Sequence, residues 1–428
     1  MVEMHHQRPM GLHTPRYRWL PTRLPKPDER RLVVLTGARQ TGKTTLARFA
    51  YPTLRYSNLD SLEIRDQLRS VRADRWAQTV GPSVLDEAQK APSVFEKVKF
   101  AYDAGALDFS VLLGSSRILL LERVKETLAG RAFLYELWPL MASEVRHSLD
   151  ETPEAPLLDR LLGARASIAP VLEREPSVLL GEADARRKDA IEHLLRWGGM
   201  PELLRLDDDQ RREWLRSYQQ TYLERDLADL TRLADLEPFR VLQSLCALRS
   251  GRLVSYAELG RDAGISAQTA RRYLVYLNLS YQVVLLQPFR RKLTSAVVKS
   301  PKLHWIDLGL ARHITRQWGE LSGEQFESFV VSEVHKWCST MARDVGLSFY
   351  RTRSGLEVDL LIQTAHGVLG IEIKNRAKVD GADTRALRAV ASELGSEWLG
   401  GLVVHRGEQL DLLHEQPAIW ALPVHRLL

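Results

Sequence analysis

The stretch GARQTGKT, residues 37–44, decides the fold of the first part of this chain. It fits the pattern G-x-x-x-x-G-K-[ST] and lies between an apolar run, RLVVLT, and a helical run, TLARFAY, as that pattern requires. Glycines let the backbone wrap closely around phosphate oxygens, and the start of a helix favours an anion. The sequence therefore predicts a nucleotide-binding loop between a strand and a helix. A glycine-rich turn without a ligand is the alternative.

The residues of this loop have expected roles in binding ATP with Mg²⁺. Lys43 would reach the β and γ phosphates, and Thr44 would ligate Mg²⁺. The residues expected to contact the nucleotide are Gly37, Ala38, Arg39, Gln40, Thr41, Gly42, Lys43, Thr44 and Thr45.

Two further apolar runs end in polar residues. In SVLDEAQ, Asp86 would hold the Mg²⁺ ion and Glu87 would orient or polarise the attacking water, unless the pair is an ordinary polar cap. In FSVLLGSS, we expect Ser115 to contact the water or the γ phosphate, although Ser115 and Ser116 also suit a simple turn. Together with the loop, these runs predict a largely parallel sheet with helices.

Composition restricts the class of protein. The chain has 428 residues, which predicts about three domains, and 44% hydrophobic and 27% charged residues are ordinary for a soluble globular protein. Two cysteines, Cys246 and Cys338, are too few for a disulfide framework. No apolar run has the length of a membrane span, and the first 20 residues lack the apolar centre of a signal peptide, so we expect a cytoplasmic protein. A net charge of +6 permits a polyanionic partner without requiring one.

Patterning along the chain divides it into five parts. Apolar strands alternate with helical stretches near both ends, whereas the middle is rich in leucine, arginine and acids with a helical pattern. The expected parts are a tail or strap (1–29), a P-loop core (30–150), a helical connector (151–245), a winged helix (246–320) and a C-terminal α/β domain (321–428).

The winged-helix prediction begins with VSYAELGRDAGISAQTARRYLVYLNLS, residues 254–280. Ser255 and Ser266 are placed to cap two helices, and Gly264 supplies the turn between them. The exposed face of the second helix would carry the residues suited to phosphates and base edges, namely Gln268, Thr269, Arg271 and Arg272. The sequence therefore predicts DNA contact, with contact to a protein partner as the alternative.

A two-stranded wing is expected after these helices, within VVLLQPFRRKLTSAVVKSPKLHWI. Its basic residues would be Arg290, Arg291, Lys292, Lys299 and Lys302. We expect Arg290 and Arg291 to contact DNA phosphates.

A second cluster of charges lies in GLEVDLLIQTAHGVLGIEIKN, residues 355–375, which reads as a hairpin. Strict alternation would put Val358, Leu360 and Ile362 on one face. Asp359, Glu372 and Lys374 would then share a polar face, which is either solvated or a metal site.

A preceding helical run, GEQFESFVVSEVHKW, carries Glu327 and Glu333. A helix Glu, a strand Asp and then Glu-x-Lys is the order of the PD-(D/E)XK nuclease site. Glu327, Asp359 and Glu372 would bind Mg²⁺ or Mn²⁺ and Lys374 would position water. The D-before-P element of this motif is absent, with EVD in its place, and retention of the fold for binding alone is the alternative.

Several stretches of the chain together resemble one family. In chain order they are GARQTGKTTL, VLDEAQKAP, LLGSS, ETLAGRAFLYELWPL, YLERDLADL, KSPKLHWIDLGLA and GLEVDLLI with GIEIK. The family is the bacterial and archaeal AAA-type ATPases with a winged helix and a C-terminal restriction-endonuclease-like domain of unassigned role. The resemblance covers about residues 30–375. It implies an AAA-like core with a helical lid, ATP with Mg²⁺, and a homo-oligomer in which an arginine of one subunit faces the next subunit's nucleotide. Arg131 falls at the family's LAGR position, which favours it over Arg117 for neutralising transition-state charge.

These observations support two functional hypotheses. The first is a Mg²⁺-dependent AAA-type ATPase that acts on DNA, with an α/β core, helical lid, winged helix and nuclease-like module. The second is an ATP-gated oligomeric switch or scaffold that binds a protein partner and has no nucleic-acid activity.

Overall fold

The architecture was obtained from a computed structural model. It describes residues 16–114, 124, 126–151, 153–231, 236–289 and 300–428, with the backbone alone for 222–231. Within these residues, no helix combines the length and the apolar composition needed to cross a lipid bilayer.

The first part of the chain is a parallel sheet with helices on both faces. Its elements are β1 (Arg31–Thr36), α1 (Lys43–Ala50), β2 (Arg55–Asn58), α2 (Leu62–Ser70), α3 (Trp76–Thr79), β3 (Ser83–Asp86), α4 (Pro92–Asp103), β4 (Phe109–Gly114) and β5 (Ala132–Glu136). The strand order is β2-β3-β4-β1-β5, and all pairs are parallel.

Both faces of this sheet are apolar, as parallel sheets require. Leu32 and Val34 of β1 pack with α4, whereas Val33 and Leu35 pack with α1 on the opposite face. Because β1 lies between two strands that are not its neighbours in sequence, a crevice opens at its carboxyl end, where ligands bind in such sheets. The loop 37–44 begins at this point.

A helical region follows, as the sequence predicts. Its helices are α5 (Ala142–Val145), α6 (Leu157–Leu162), α7 (Ala169–Leu172), α8 (Glu182–Trp197), α9 (Asp208–Thr231) and α10 (Glu237–Leu248).

The remainder contains a helix pair and a second, larger sheet. Its elements are β6 (Arg252–Leu253), α11 (Tyr256–Asp262), α12 (Ala267–Leu279), β7 (Val283–Pro288), β8 (Lys302–Trp305), α13 (Leu308–Thr315), α14 (Gly323–Thr340), β9 (Gly346–Arg351), β10 (Glu357–Thr364), β11 (Gly367–Lys374), α15 (Arg385–Leu394), β12 (Trp398–His405), β13 (Asp411–His414), β14 (Ile419–Pro423) and α16 (Val424–Leu427).

The second sheet joins two parts of the chain that the sequence divides at residue 320. In the described parts of the chain its nine strands run in the order β13-β14-β12-β11-β10-β9-β7-β8-β6. The joint is the parallel pairing of β7 with β9, where Gln287 is opposite Ser348. One apolar cluster also extends from Trp19 to the last residue, Leu428. The predicted winged helix and C-terminal domain therefore share one sheet and one core.

Residues 16–24 cross the first domain as a strap. Trp19 is buried, and its backbone nitrogen donates to a carboxylate oxygen of Glu144. The Arg18 guanidinium lies 3.3 Å from the same carboxylate and donates to the carbonyl oxygen of Trp138 at 2.6 Å. These long-range contacts hold the strap beside the loop 37–44.

Candidate functional site

The backbone of the loop 37–44 has a conformation that its glycines permit. Gly37 and Gly42 have φ values of 154° and 96°, and Gln40 also has a positive φ, 60°. A Cβ at Gly37 would lie 2.2 Å from the carbonyl oxygen of Leu137, which no side chain tolerates. Both the turn and the close approach therefore require glycine at position 37.

Lys43, the first residue of α1, is buried beneath the loop. Its ammonium group donates to the carbonyl oxygens of Gly37 and Ala38, at 3.0 and 2.8 Å. The Thr41 hydroxyl also donates to Ala38. The loop therefore curls over its own lysine, which lies where phosphate oxygens would enter.

The predicted magnesium ligands of the nucleotide site lie side by side. The Thr44 hydroxyl donates to Asp86 Oδ2 at 2.6 Å, and the Tyr56 hydroxyl donates to the same oxygen at 2.8 Å. The other oxygen, Oδ1, accepts from the backbone nitrogen of Glu87. A hydroxyl and a carboxylate in contact are the hard oxygen ligands that suit Mg²⁺. The residues at this position therefore fit the ion that the loop implies.

Glu87 has a strained backbone, with φ 53° and ψ 42°. A left-handed conformation is uncommon for a residue other than glycine and is often retained at functional sites. The Glu87 carboxylate accepts a hydrogen bond from the Gln89 side chain at 2.5 Å. Glu87 also lines the same cavity as the loop. This placement is consistent with the expected contact to an attacking water.

A cavity of about 980 Å³ opens at the loop. Residues Arg39 to Thr45 line it together with Asp86 and Glu87, while Gly37 and Ala38 lie at the base of the loop. The strap and the helical region close the opposite side with Arg16, Tyr17, Arg18, Pro21, Pro201, Glu202, Leu204, Arg205 and Trp214. Sequence reasoning missed these residues, because they come from segments far from the motif. The only signal was the arginine-rich and aromatic composition of the segment before β1.

Arg131 is not part of this cavity. Leu32 is opposite Ala132 and Thr36 is opposite Glu136, so Arg131 lies at the amino end of the sheet. The loop leaves the other end, roughly 15 Å away along the strands. The guanidinium of Arg131 instead binds both carboxylate oxygens of Asp103, at 2.5 and 3.0 Å. Action on the nucleotide of its own chain is therefore excluded by position, and a role toward a neighbouring subunit stays a prediction.

Three other candidates near the nucleotide, Ser115, Ser116 and Arg117, lie outside the described residues.

The predicted helix pair forms with its predicted caps. The Ser255 and Ser266 side chains accept from backbone nitrogens at the starts of α11 and α12, and Gly264 between the helices has φ 67°. Arg271 and Arg272 are exposed on α12. The neighbouring Gln268 is exposed and Thr269 is half-buried.

The predicted wing is described only in part. Arg290, Arg291, Lys292 and Lys299 lie outside the described residues. Lys302 does not belong to an exposed basic surface, because it lies on β8 with 3% of its surface exposed. That part of the prediction is wrong, and the reason is a set of buried carboxylates described below.

A contact that the sequence did not reveal connects α12 to the nucleotide loop. Tyr281, in the turn after α12, places its hydroxyl in hydrogen-bond contact with the hydroxyl of Thr36, the residue before Gly37. Its ring meets Trp138 edge to face, with centroids 5.1 Å apart. Ala38 belongs to the same small apolar cluster. The base of the loop therefore packs directly against the region that carries α12.

The C-terminal hairpin forms, but its alternation is broken. β10 and β11 are antiparallel with Leu360 opposite Ile371, whereas the register of β10 with β9 shifts between Val358 and Leu361. Val358 and Leu361 consequently pack against α15, and Leu360 and Ile362 pack into the main core. The prediction that Val358, Leu360 and Ile362 share one face is wrong, because an irregularity of this kind reverses the facing of the residues beyond it.

Lys302 occupies the centre of the predicted metal site. Its ammonium nitrogen lies 2.6 Å from Glu327 Oε1 on α14 and 2.5 Å from Glu357 Oε1. Asp359 Oδ1 is 3.8 Å away, and the other oxygen of Asp359 accepts from the backbone nitrogen of Ile373. Glu327 and Asp359 are thus brought together as predicted, but around an ammonium group.

The other predicted members of the metal site have separate partners. Glu372 pairs with Lys374 at 2.6 Å. Glu333 pairs with Lys336 and accepts from the backbone nitrogen of Ala142. No group of three or more histidine, cysteine, aspartate and glutamate side chains in the described parts of the chain is arranged to hold a metal ion. The set Glu327, Asp359 and Glu372 is therefore not assembled as a metal centre here.

Burial governs the electrostatics of this cluster. Burial raises the pKa of Glu327 well above its ordinary value, and Asp359 raises it further, against the opposite effect of Lys302. Burial and then Asp359 raise the pKa of Glu372 to about 8. Burial would lower the pKa of Lys302, but Glu327, Asp359 and Glu357 outweigh it and the pKa is raised. Lys302 therefore holds its proton more firmly than a free lysine does.

Comparison with known proteins assigns the first part of the chain. Residues 29–146 match the AAA domain family, and residues 188–320 and 322–427 match two domains of unknown function, DUF8612 and DUF4143. With the geometry of the loop, Asp86 and Glu87, this match defines an AAA-type P-loop ATPase domain. The expected ATPase core is thereby confirmed, while the winged helix and the nuclease-like module stay predictions.

Two relatives are similar to this chain over most of its length, and both are described as uncharacterized proteins. One from Mycobacterium tuberculosis and one from Mycobacterium bovis are each 27% identical over 408 residues, covering 93% of this chain and 81% of the relative. Solved structures with some similarity include the Walker-type ATPase of Pyrococcus abyssi, with a TM-score of 0.40, 14% identity, and coverage of 67% of this chain and 91% of that one. The ADP form of the Aeropyrum pernix ORC2 protein has a TM-score of 0.29 and 13% identity, with coverage of 60% of this chain and 81% of that one.

Proposed function

We propose that this protein is a Mg²⁺-dependent ATPase that couples ATP binding and hydrolysis to action on DNA. The observation that carries the proposal is the contact between Thr44 and Asp86 inside a cavity that Lys43 and Glu87 also reach. This arrangement supports nucleotide binding, metal binding and water activation at one place.

In the proposed reaction the protein positions charge and does little covalent chemistry. Lys43 exchanges its bonds to Gly37 and Ala38 for phosphate oxygens and thereby stabilises their negative charge. Thr44 and Asp86 would hold Mg²⁺, which would supply positive charge to the phosphates. Glu87 orients the water that attacks the γ phosphate and accepts its proton.

The DNA part of the proposal rests on α12. Arg271 and Arg272 are exposed on this helix, and the described residues of 254–280 form the expected helix pair. Exposed arginines suit phosphate contacts, which supply most of the affinity of such helices for DNA. Within the proposal the C-terminal module binds rather than cuts nucleic acid, because Lys302 takes the central place among its carboxylates.

The contact of Tyr281 with Thr36 supports coupling between the two activities. Lys43 must leave Gly37 and Ala38 when phosphate enters, and Ala38 shares an apolar cluster with Tyr281 and Trp138. A change at the loop is therefore transmitted to the turn that ends α12. By linkage, DNA on α12 changes the affinity for nucleotide by the same factor.

The proposal is tested by measuring ATP turnover of the full chain without DNA and with single-stranded, duplex and branched DNA. We expect at least one form to stimulate turnover, and Tyr281→Phe to lose the stimulation while it still binds ATP. Tyr276→Phe is the matched control, since Tyr276 lies on α12, stacks on Tyr273 and packs against the main apolar cluster, whereas Tyr281 packs with Ala38 of the loop. Turnover that no DNA or RNA form changes would favour the ATP-gated scaffold that binds a protein partner.

A further inference from the structure

The carboxylate cluster around Lys302 has the composition of a divalent-cation site, with an ammonium group at its centre. We infer that Lys302 is the resident cation of this cluster, so that the C-terminal module works without a divalent metal, and that removal of Lys302 uncovers a Mn²⁺ site. The inference concerns the C-terminal module alone. Its failure would leave the proposed ATP hydrolysis untouched.

Three separate elements bring the cluster together. Lys302 comes from β8, Glu327 from α14, and Glu357 with Asp359 from β10. The side chains of Lys302, Glu327 and Asp359 are 4%, 10% and 13% exposed, so little water screens them. Buried carboxylates need a cation, because an unpaired buried charge is very costly. The three donors of the ammonium group meet that need without an added ion.

The geometry explains why a divalent ion and Lys302 exclude each other. Two carboxylate oxygens already lie 2.5 and 2.6 Å from the ammonium nitrogen. Metal to oxygen distances are about 2.0–2.1 Å for Mg²⁺, so the ion would need nearly the same point in space. With Lys302 in place, a divalent ion would also face a fixed positive charge in contact with its ligands.

A buried histidine supplies an independent indication of a ligand. His304 is fully buried beside the cluster, and its Nε2 has no hydrogen-bond partner among the described residues. This nitrogen lies 3.8 Å from Glu327 Oε1, while Nδ1 is held by the hydroxyl of Ser328 at 3.1 Å. An imidazole nitrogen next to carboxylates suits Mn²⁺ better than Mg²⁺. The site that Lys302 occupies is therefore expected to bind Mn²⁺ in preference to Mg²⁺.

The experiment measures Mn²⁺ binding to the full, nucleotide-free chain by electron paramagnetic resonance and by thermal shift. Four proteins are compared: the wild type, Asp359→Asn, Lys302→Met, and Lys302→Met combined with Asp359→Asn. Any Mn²⁺ bound at the P-loop adds the same signal in all four proteins. We expect Asp359→Asn to leave Mn²⁺ binding of the wild type unchanged. Lys302→Met should gain about one Mn²⁺ per chain, with a rise in melting temperature, and the double variant should lose both gains.

A companion variant protects the test against misfolding. Lys302→Met with Glu357→Gln buries one carboxylate fewer, which leaves Glu327 and Asp359 to balance one divalent charge. Lys302→Met alone and Lys302→Met with Glu357→Gln should each gain the Mn²⁺ site if they fold. Mn²⁺ bound by the wild type and removed by Asp359→Asn would overturn the inference, and so would a folded Lys302 variant that gains no ion. The wild-type comparison gives a result even if neither variant folds.

Discussion

Lys43 and Lys302 are both buried lysines, with 7% and 3% of their surfaces exposed, yet they lie in opposite surroundings. Lys43 donates to carbonyl oxygens of the loop that it serves, at 2.8 and 3.0 Å. Lys302 is enclosed by the carboxylates of Glu327, Glu357 and Asp359. A lysine can exchange hydrogen bonds to neutral carbonyl oxygens for contacts with phosphate at little cost. Leaving a buried carboxylate is costly, because the carboxylate then lacks its counter-ion. The same side chain is thus suited to a ligand in one region and to an internal ion pair in the other.

The largest expected effect lies in the first region. Lys43→Ala should abolish nucleotide binding, because the loop then lacks the cation that meets the phosphates. Glu87→Gln should retain binding and lose turnover by about 10²–10⁴-fold, since only the group that accepts the proton changes. Fluorescent nucleotide titration and phosphate release measure the two quantities. Wild-type hydrolysis by Glu87→Gln would remove the assigned role from this strand end.

The next effect contrasts the stability contributions of the two lysines. Lys302→Met should lower the free energy of unfolding by about 3–5 kcal/mol, because buried carboxylates then lose their cation. Lys43→Met should lower it by about 1 kcal/mol or less, since only hydrogen bonds to carbonyls are lost. Denaturant unfolding of nucleotide-free protein measures both. Equal losses of unfolding free energy in the two variants would contradict the distinction between Lys302 as an ion-pair partner and Lys43 as a cation available to a ligand.

Arg271 and Arg272, exposed on α12, form a third class of cation, and the sequence predicts DNA contact for Arg290 and Arg291 as well. Charge removal at Arg271, Arg272, Arg290 and Arg291 should weaken DNA binding and flatten its salt dependence by about one unit of slope per lost phosphate contact. ATP binding should persist, because Arg271 and Arg272 do not line the nucleotide cavity. Binding titrations over a range of salt concentrations measure the slope. An unchanged slope would show that this part of the molecule does not contact DNA.

The smallest effect concerns a residue that orients Asp86. Burial, with the hydrogen bond to Asp86, raises the pKa of Tyr56, which keeps the hydroxyl a proton donor. Tyr56→Phe should weaken the Mg²⁺-dependent part of ATP binding about fivefold, the equivalent of one hydrogen bond of about 1 kcal/mol.

Tyr51→Phe is the control for that measurement. Tyr51 and Tyr56 both line a second cavity, beside α1, but the Tyr51 hydroxyl donates to the carbonyl oxygen of Pro25. Nucleotide titrations with and without Mg²⁺ should separate the two variants. If both variants change Mg²⁺ dependence equally, Tyr56 acts through packing and not through Asp86.

The sequence by itself determined the features that depend on local spacing. The loop 37–44, the acids Asp86 and Glu87 at a strand end, and the caps Ser255 and Ser266 all lie where the pattern predicts. Each depends on residues within a few positions of one another, so strand alternation, helix capping and glycine conformation suffice to place them.

Only the tertiary structure decided what the charged residues of the last third contact. The sequence predicts Lys302 as a basic residue of the wing. It is instead a buried counter-ion, because β8 packs against α14 and Lys302, its first residue, meets Glu357 at the start of β10. The register shift after Val358, the contact of Tyr281 with Thr36, and the position of Arg131 at the far end of its sheet follow from pairings between distant segments. The physical reason is that charge neutralisation in a core is set by partners far away in sequence, whereas a phosphate loop is built from one short segment.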